Sequence, residues 1–266
     1  MATHIHHRPA AQVARAARGG NHATQMRSRL LWLAGLVIVV VAVVAAIAAI
    51  GGGSAKKPAS AASNASTVNG VAALLKGIPQ AGNTLGSSSA PTTVTLYSDL
   101  VCPACAAWAT SVLPQIITTE VRTGKIRLVD RGFETASGIA NGGEYTTSQT
   151  AVLSAGLQNR AWNYVLLAYD EQPQTINGQD AEDVSYVNSS YLQNLAAQVP
   201  GLNRLKWQAG LTNQTLISNV SADAQSGRTS GITATPSLLV AGAKGTVRVE
   251  GGPSLSQLQS AMAQVG

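Results

Sequence analysis

The 266-residue chain has 18 lysines and arginines, 12 aspartates and glutamates, a formal charge of +6 and a pI near 9.6. Such basicity raises nucleic acid as a partner, but the charge is in the wrong place for one: up to Ala90 there are 8 basic residues and no acidic one, while from Pro91 onward 10 basic residues stand against all 12 acidic ones, a net charge of −2. The larger part is an ordinary, weakly acidic domain, and the basicity belongs to membrane topology.

Residues 1–29 hold Arg8, Arg15, Arg18, Arg27 and Arg29 among alanines and glycines that offer little to pack, a basic arm. Residues 30–50 are apolar or glycine at all 21 positions, which at about 1.5 Å per residue spans a hydrocarbon core of about 30 Å. This predicts one transmembrane helix, and the arginines before it place the arm in the cytoplasm and everything downstream outside. The run is longer than the roughly 7–15 apolar residues of a secretory signal, which favours an uncleaved, single-pass anchor in the cell membrane; the small residues at Ala46 to Ala49 leave cleavage as the alternative. Residues 51–70, GGGSAKKPASAASNASTVNG, are small and polar and read as a flexible linker.

The folded part is expected from Val71. Leu74-Leu75 suits a short helix or strand, and Ile78 to Gly86 reads as a hairpin turning at Ala81 to Asn83. Next comes Thr93 to Thr110, TVTLYSDLVCPACAAWAT, in which Val94, Leu96 and Tyr97 favour a strand, Asp99 ends it, and Pro103 suits the first turn of a helix that Ala104 continues. Cys102 and Cys105, the two cysteines of the chain, thus fall at a strand-to-helix junction. Unpaired N–H groups and the positive end of the helix dipole there stabilise a thiolate on Cys102, drawing its pKa from about 8.5 into a range of roughly 3.5–7.5. Cys102 is then the nucleophile. Cys105, one turn on, can attack a mixed disulfide at Cys102 and release the partner.

Two other uses of the pair weigh less. A zinc site needs about four ligands, there is no third cysteine, and His4, His6, His7 and His22 all precede the membrane segment; no metal or other cofactor is expected. A structural disulfide closing so short a loop gains little chain entropy.

Beyond the dithiol the helix carries Trp108, Val112, Ile116 and Val121, with a kink expected at Pro114 and an end at Gly124. Residues 125–130, KIRLVD, alternate as a half-buried strand, completing a parallel strand-helix-strand crossover. Residues 132–149 read as a Gly- and Thr-rich loop. A helical part is expected over about 150–226: Leu153, Leu157, Tyr164, Val165 and Ala168 follow one face, and Leu192, Leu195, Ala196 and Val199 another. Pro200-Gly201 and Thr212-Asn213 separate further helices. Trp162, Tyr164, Tyr169 and Trp207 read as core rather than a ligand cage, and Gln158-Asn159-Arg160 as residues that cap or bridge helices.

In Gly231 to Val240, GITATPSLLV, Pro236 stands directly before an apolar strand, either marking an edge or forming a cis peptide in a tight turn. TVRVE at 246–250 is its hairpin partner, and Ser254 with Gln257 forms a capping box for a last helix burying Leu255, Leu258, Met262 and Val265.

TLYSDLVCPAC, the helical part and GITATPSLLV together resemble the DsbA-like thiol-disulfide oxidoreductases of the thioredoxin superfamily, over residues 71–266. The resemblance implies an α/β protein: a thioredoxin fold with an inserted helical domain, here preceded by one N-terminal transmembrane helix. It implies catalytic roles for Cys102 and Cys105, with Pro103 and Ala104 as the spacer between them. It further implies that Pro236 is cis and faces the dithiol, and that Thr235 offers its backbone to a substrate strand. Two departures bear on redox poise. Members often carry a buried glutamate six residues before the first cysteine; here that position is Leu96, and Asp99 is either a substitute in the proton relay or a turn or cap residue. Strongly oxidising members have histidine before the second cysteine, where this chain has Ala104, so a less oxidising centre is expected.

The expected function is an extracytoplasmic thiol-disulfide oxidoreductase that oxidises cysteines of exported proteins, with no nucleic-acid partner. The resemblance adds a membrane redox partner of the DsbB or VKOR type. A disulfide reductase or isomerase fed with electrons across the membrane is one alternative, and a non-catalytic envelope binding module on the same fold is another.

Overall fold

The computed structural model describes residues 61–135, 143–173, 175–176, 179–180, 184 and 186–266. The basic arm, the expected transmembrane run at 30–50, the first ten positions of the expected linker and residues 136–142 of the expected loop lie outside the described residues. Among the described residues no helix is long and apolar enough to cross a membrane.

In chain order the elements are α1 (Ala61–Leu75), β1 (Gln80–Ala81), β2 (Thr84–Leu85), β3 (Thr92–Ser98), α2 (Pro103–Ser111), α3 (Leu113–Ile116) with a π-helical turn (Ile117–Val121), β4 (Ile126–Gly132), α4 (Gly143–Gly156), α5 (Ala161–Asp170), β5 (Thr175–Ile176), β6 (Gln179–Asp180), α6 (Ser189–Gln198), α7 (Arg204–Gly210), α8 (Gln214–Thr229), β7 (Ser237–Gly242), β8 (Gly245–Val249) and α9 (Leu255–Val265). One sheet runs β1-β2-β4-β3-β7-β8; β5 and β6 pair separately. The centre is the parallel β3–β4 pair, in register from Thr92 opposite Ile126 to Ser98 opposite Gly132. On its other edge β3 pairs antiparallel with β7, Tyr97 opposite Ser237. That pairing carries Thr235-Pro236, just before β7, to the end of β3 where the dithiol begins.

The crossover between β3 and β4 is a broken helix. Pro114 lacks the N–H that would continue the ladder, so α2 stops at Val112, α3 follows, and the chain closes with a π turn in which Arg122 N–H reaches the Ile117 carbonyl at 2.9 Å. Leu113, Ile116, Ile117, Ile126 and Leu128 are wholly buried under this crossover, each worth about 1.5–3 kcal/mol of transfer from water.

Three expectations need correction. Residues 61–70, read as linker, are helical in α1: the run is rich in alanine, the best helix former, and the Arg122 guanidinium binds the Leu74 and Lys76 carbonyls at its C-terminal end, at 2.6 and 2.8 Å. The helical part begins at Gly143 rather than 150 and runs to Thr229 rather than 226, because the first turns of α4 bury polar side chains, Ser148, Gln149 and Thr150, and so show no apolar period. Leu157 leaves its expected face and is 63% exposed: α4 ends at Gly156, and the chain turns through Asn159 at φ +56°. Asn159 and its neighbours bridge elements. The Asn159 side chain accepts from Gly82 N–H at 3.0 Å, and Gln158 exchanges two hydrogen bonds with the Asn203 backbone. Trp162, Tyr164, Tyr169 and Trp207 are all at most 2% exposed, in the core.

Candidate active site

Cys102 is the N-cap of α2, with Pro103 in the first turn; its N–H closes a turn onto the Asp99 carbonyl at 3.0 Å and its carbonyl accepts from Ala106 N–H at 3.1 Å. Pro103 and Ala104 are exposed, so the turn faces outward. The two thiols are free and unequally buried, Cys102 at 8% exposure and Cys105 at 1%. Hydrogen bonding from the Cys105 side chain, helped by the Thr235 side chain and the backbone N–H groups of Cys105 and Ala104, outweighs burial and draws the Cys102 pKa down to about 6. Burial, followed by the hydrogen bond and charge of Cys102, pushes Cys105 well above the ordinary thiol range. One thiol is thus made a thiolate near neutral pH while the other is kept protonated. The exposed backbone at a helix start anticipates part of this; the leading contribution of the Cys105 thiol it does not.

The Thr235-Pro236 bond is cis, and the Cys102 thiol points at the Thr235 carbonyl, Sγ to O 4.0 Å. The structure therefore brings together two stretches separated by 133 positions. The turn is braced on both sides. Gly252 N–H reaches the Pro236 carbonyl at 2.9 Å, the Ser237 hydroxyl the Ala234 carbonyl at 2.7 Å, and Glu250 takes the Thr233 N–H at 2.8 Å. Trp108 on α2 donates its indole N–H to the Pro253 carbonyl at 2.7 Å, so the dithiol helix is fastened to the segment after β8.

Asp99 is fully buried and spans two loops: one carboxylate oxygen accepts from Val101 N–H at 3.3 Å and the other from Thr135 N–H at 3.0 Å. These two bonds hold the backbone at Val101 and Thr135. The Thr135 hydroxyl lies 2.7 Å from that of Thr235; a threonine in a Gly- and Thr-rich loop gives no signal of a partner 100 residues away. Asp130, at the end of the expected strand, is a buried carboxyl 3.2 Å from the Ser98 hydroxyl that donates to it. Among the described residues no three His, Cys, Asp or Glu side chains gather where a metal ion could sit.

The model of the thioredoxin family matches residues 80–262. Solved structures with the same fold include BdbD from Bacillus subtilis in its oxidised form (18% identity, TM-score 0.58, 70% of this chain and 96% of that one) and α-DsbA1 from Wolbachia pipientis (17%, 0.53, 72% and 92%). DsbA2 from Pseudomonas aeruginosa is similar too (22%, 0.50, 70% and 95%). Comparison with curated proteins gives no match. With the family model spanning both the dithiol and the cis-proline turn, and an activated thiol between them, the chain belongs to the thioredoxin family and is a thiol-disulfide oxidoreductase.

Proposed function

We propose that this oxidoreductase works in the oxidising direction, donating the Cys102–Cys105 disulfide to cysteines of exported proteins while held at the outer face of the cell membrane by residues 30–50. The observation that carries the direction is the depressed pKa of Cys102, drawn down to about 6 by its hydrogen-bond partners. A stabilised thiolate stabilises the reduced enzyme, and a disulfide whose reduced form is stabilised is the stronger oxidant.

In the forward reaction a substrate thiolate attacks Cys102 Sγ, forming the mixed disulfide and releasing Cys105, which takes up a proton. A second substrate thiolate then attacks the substrate sulfur of that bond and Cys102 leaves as a thiolate. The substrate loses two electrons and the dithiol gains them; a membrane partner of DsbB or VKOR type would remove them again. In this reading Thr235 and Pro236 form the substrate rest: the Thr235 carbonyl lies 4.0 Å from Cys102 Sγ, and the Thr235 backbone would pair with an extended substrate strand by β-augmentation, which recognises main chain rather than sequence.

Equilibration with glutathione buffers tests the direction. A potential between about −270 mV, that of thioredoxin, and about −120 mV, that of DsbA, is expected; a value at or below about −270 mV would support the reductase reading. For the location, reporter fusions after Gly53 should be active outside the cytoplasm, and equal activity in the cytoplasm would remove the anchor model.

A further inference from the structure

The hydroxyl of Thr135 lies 2.7 Å from that of Thr235, whose carbonyl is 4.0 Å from Cys102 Sγ and whose side chain helps to lower the pKa of both cysteines. We infer that Thr135 is a positioning residue for the active thiol, fixed by Asp99, whose hydroxyl donates to Thr235 Oγ1 and thereby turns the single Thr235 hydroxyl hydrogen toward Cys102 Sγ.

The argument is one of hydrogen counting. A threonine hydroxyl has one hydrogen and two acceptor lone pairs. In the inferred arrangement the Thr235 hydrogen goes to sulfur when Cys102 is a thiolate, and the short contact to Thr135, in which either hydroxyl can donate, then has Thr135 as donor. The two bonds then run head to tail, and each polarises the other. When Cys102 is a thiol its S–H is directed to the Thr235 carbonyl and the Thr235 hydroxyl hydrogen is released. The pair therefore discriminates between the two protonation states of one sulfur.

Both hydroxyls are presented from fixed backbone. Thr135 N–H is held by the buried Asp99 carboxylate at 3.0 Å, and two residues earlier Phe133 N–H is bonded to the Ser98 carbonyl at 2.9 Å. The Thr235 turn is held by Thr233 on Glu250 and by Ser237 on Ala234. Asp99 also receives Val101 N–H, directly before Cys102. One carboxylate thus sets the spacing between the dithiol turn and the loop that carries Thr135.

This inference rests on the dithiol being redox-active. In the full chain, the Cys102 titration is followed by thiolate absorbance in the reduced protein, with exchange against a small disulfide measured alongside. Thr135→Val is expected to raise the Cys102 pKa by about a few tenths of a unit, Thr135→Ser to leave it in place, and Thr235→Val to raise it by about one unit or more. The decisive comparison is the double variant: because Thr135 acts only through Thr235, T135V/T235V should match T235V alone, a non-additivity that a merely structural residue does not produce. T135A, which removes the hydroxyl without adding a methyl, serves if T135V folds poorly. Wild-type exchange together with an unmoved pKa in T135V and T135A, or shifts that add in the double variant, would overturn the inference alone. A wild-type protein inert in exchange would remove the underlying reading and this one with it.

Discussion

Leu96 and Asp130 are direct partners across the parallel β3–β4 ladder. Opposite the apolar Leu96, Asp130 is a buried carboxyl, 4% exposed and with the Ser98 hydroxyl donating to it at 3.2 Å. Burial, opposed by that hydrogen bond and reinforced by the charge of Asp223, raises its pKa from 3.8 to about 7.

A stability consequence follows from the sign of that shift. Between about pH 4 and 7 the folded protein holds a proton on Asp130 that the unfolded chain has released, so this group's contribution is complete below its unfolded pKa and is lost as pH rises through the folded one. The loss is on the order of 4 kcal/mol. Asp130→Asn, which keeps the shape and cannot ionise, should show a much flatter stability profile, with the gap between variant and wild type opening from pH 4 to 7 and constant above. Urea unfolding across that range measures it, and parallel curves for the two proteins would refute the assignment.

The two thiols should separate kinetically. With Cys102 at a pKa of about 6, about nine-tenths of it is thiolate at pH 7, while Cys105 stays protonated there. Reduced protein treated briefly with iodoacetamide at pH 7 is expected to be alkylated at Cys102 alone, with a rate that halves near pH 6. Equal labelling of both cysteines, or a midpoint near about 8.5, would contradict the geometry.

The last helix tests a purely local feature. Ser254 accepts from Gln257 N–H while the Gln257 side chain accepts from Ser254 N–H at 2.9 Å, a complete capping box at the start of α9. Ser254→Ala should cost about 1 kcal/mol, read as a fall in thermal midpoint with exchange activity retained. No change in the midpoint would mean that solvent caps this helix equally well.

Features of that kind were legible because the cause and the effect lie within a few residues. The capping box, the hairpin at Gly82-Asn83, the crossover and the junction at Cys102 are all local patterns. The turn at Pro236 was legible only as one of two options, edge or cis, until the family resemblance and then the antiparallel β3–β7 register favoured the second. The contacts that set the site were not legible at all. Thr135 with Thr235 and Asp99 with Thr135 join loops far apart in the chain, through side chains that elsewhere signify only a turn. The start of α4 was hidden because polar side chains face the core there, which removes the apolar period on which a helix assignment depends.

Gly227 is a further residue whose role comes only from packing. It lies inside α8, where glycine costs about 1 kcal/mol relative to alanine, so its presence calls for a compensating contact. A Cβ at this position would run into the Phe133 ring, with Phe133 Cε2 at 2.8 Å and Tyr97 Cδ1 at 3.1 Å. Those two rings meet edge to face with centroids 6.2 Å apart, and the Tyr97 hydroxyl is 3.0 Å from that of Ser226. Gly227 thus lets the last helix of the insertion sit directly on the end of the β3–β4 pair, two residues from Thr135. In Gly227→Ala the gain of about 1 kcal/mol in helix propensity meets an overpacking penalty of about 1–3 kcal/mol. Phe133 is 6% exposed and its backbone is bonded to β3, so the ring has little room to retreat and the penalty should win. A net destabilisation of about 1 kcal/mol or more is expected in denaturant unfolding, with a rise in the Cys102 pKa if the displaced Phe133 carries Thr135 with it. A variant more stable than wild type would show that the ring yields, and that the insertion does not depend on this contact to reach the sheet.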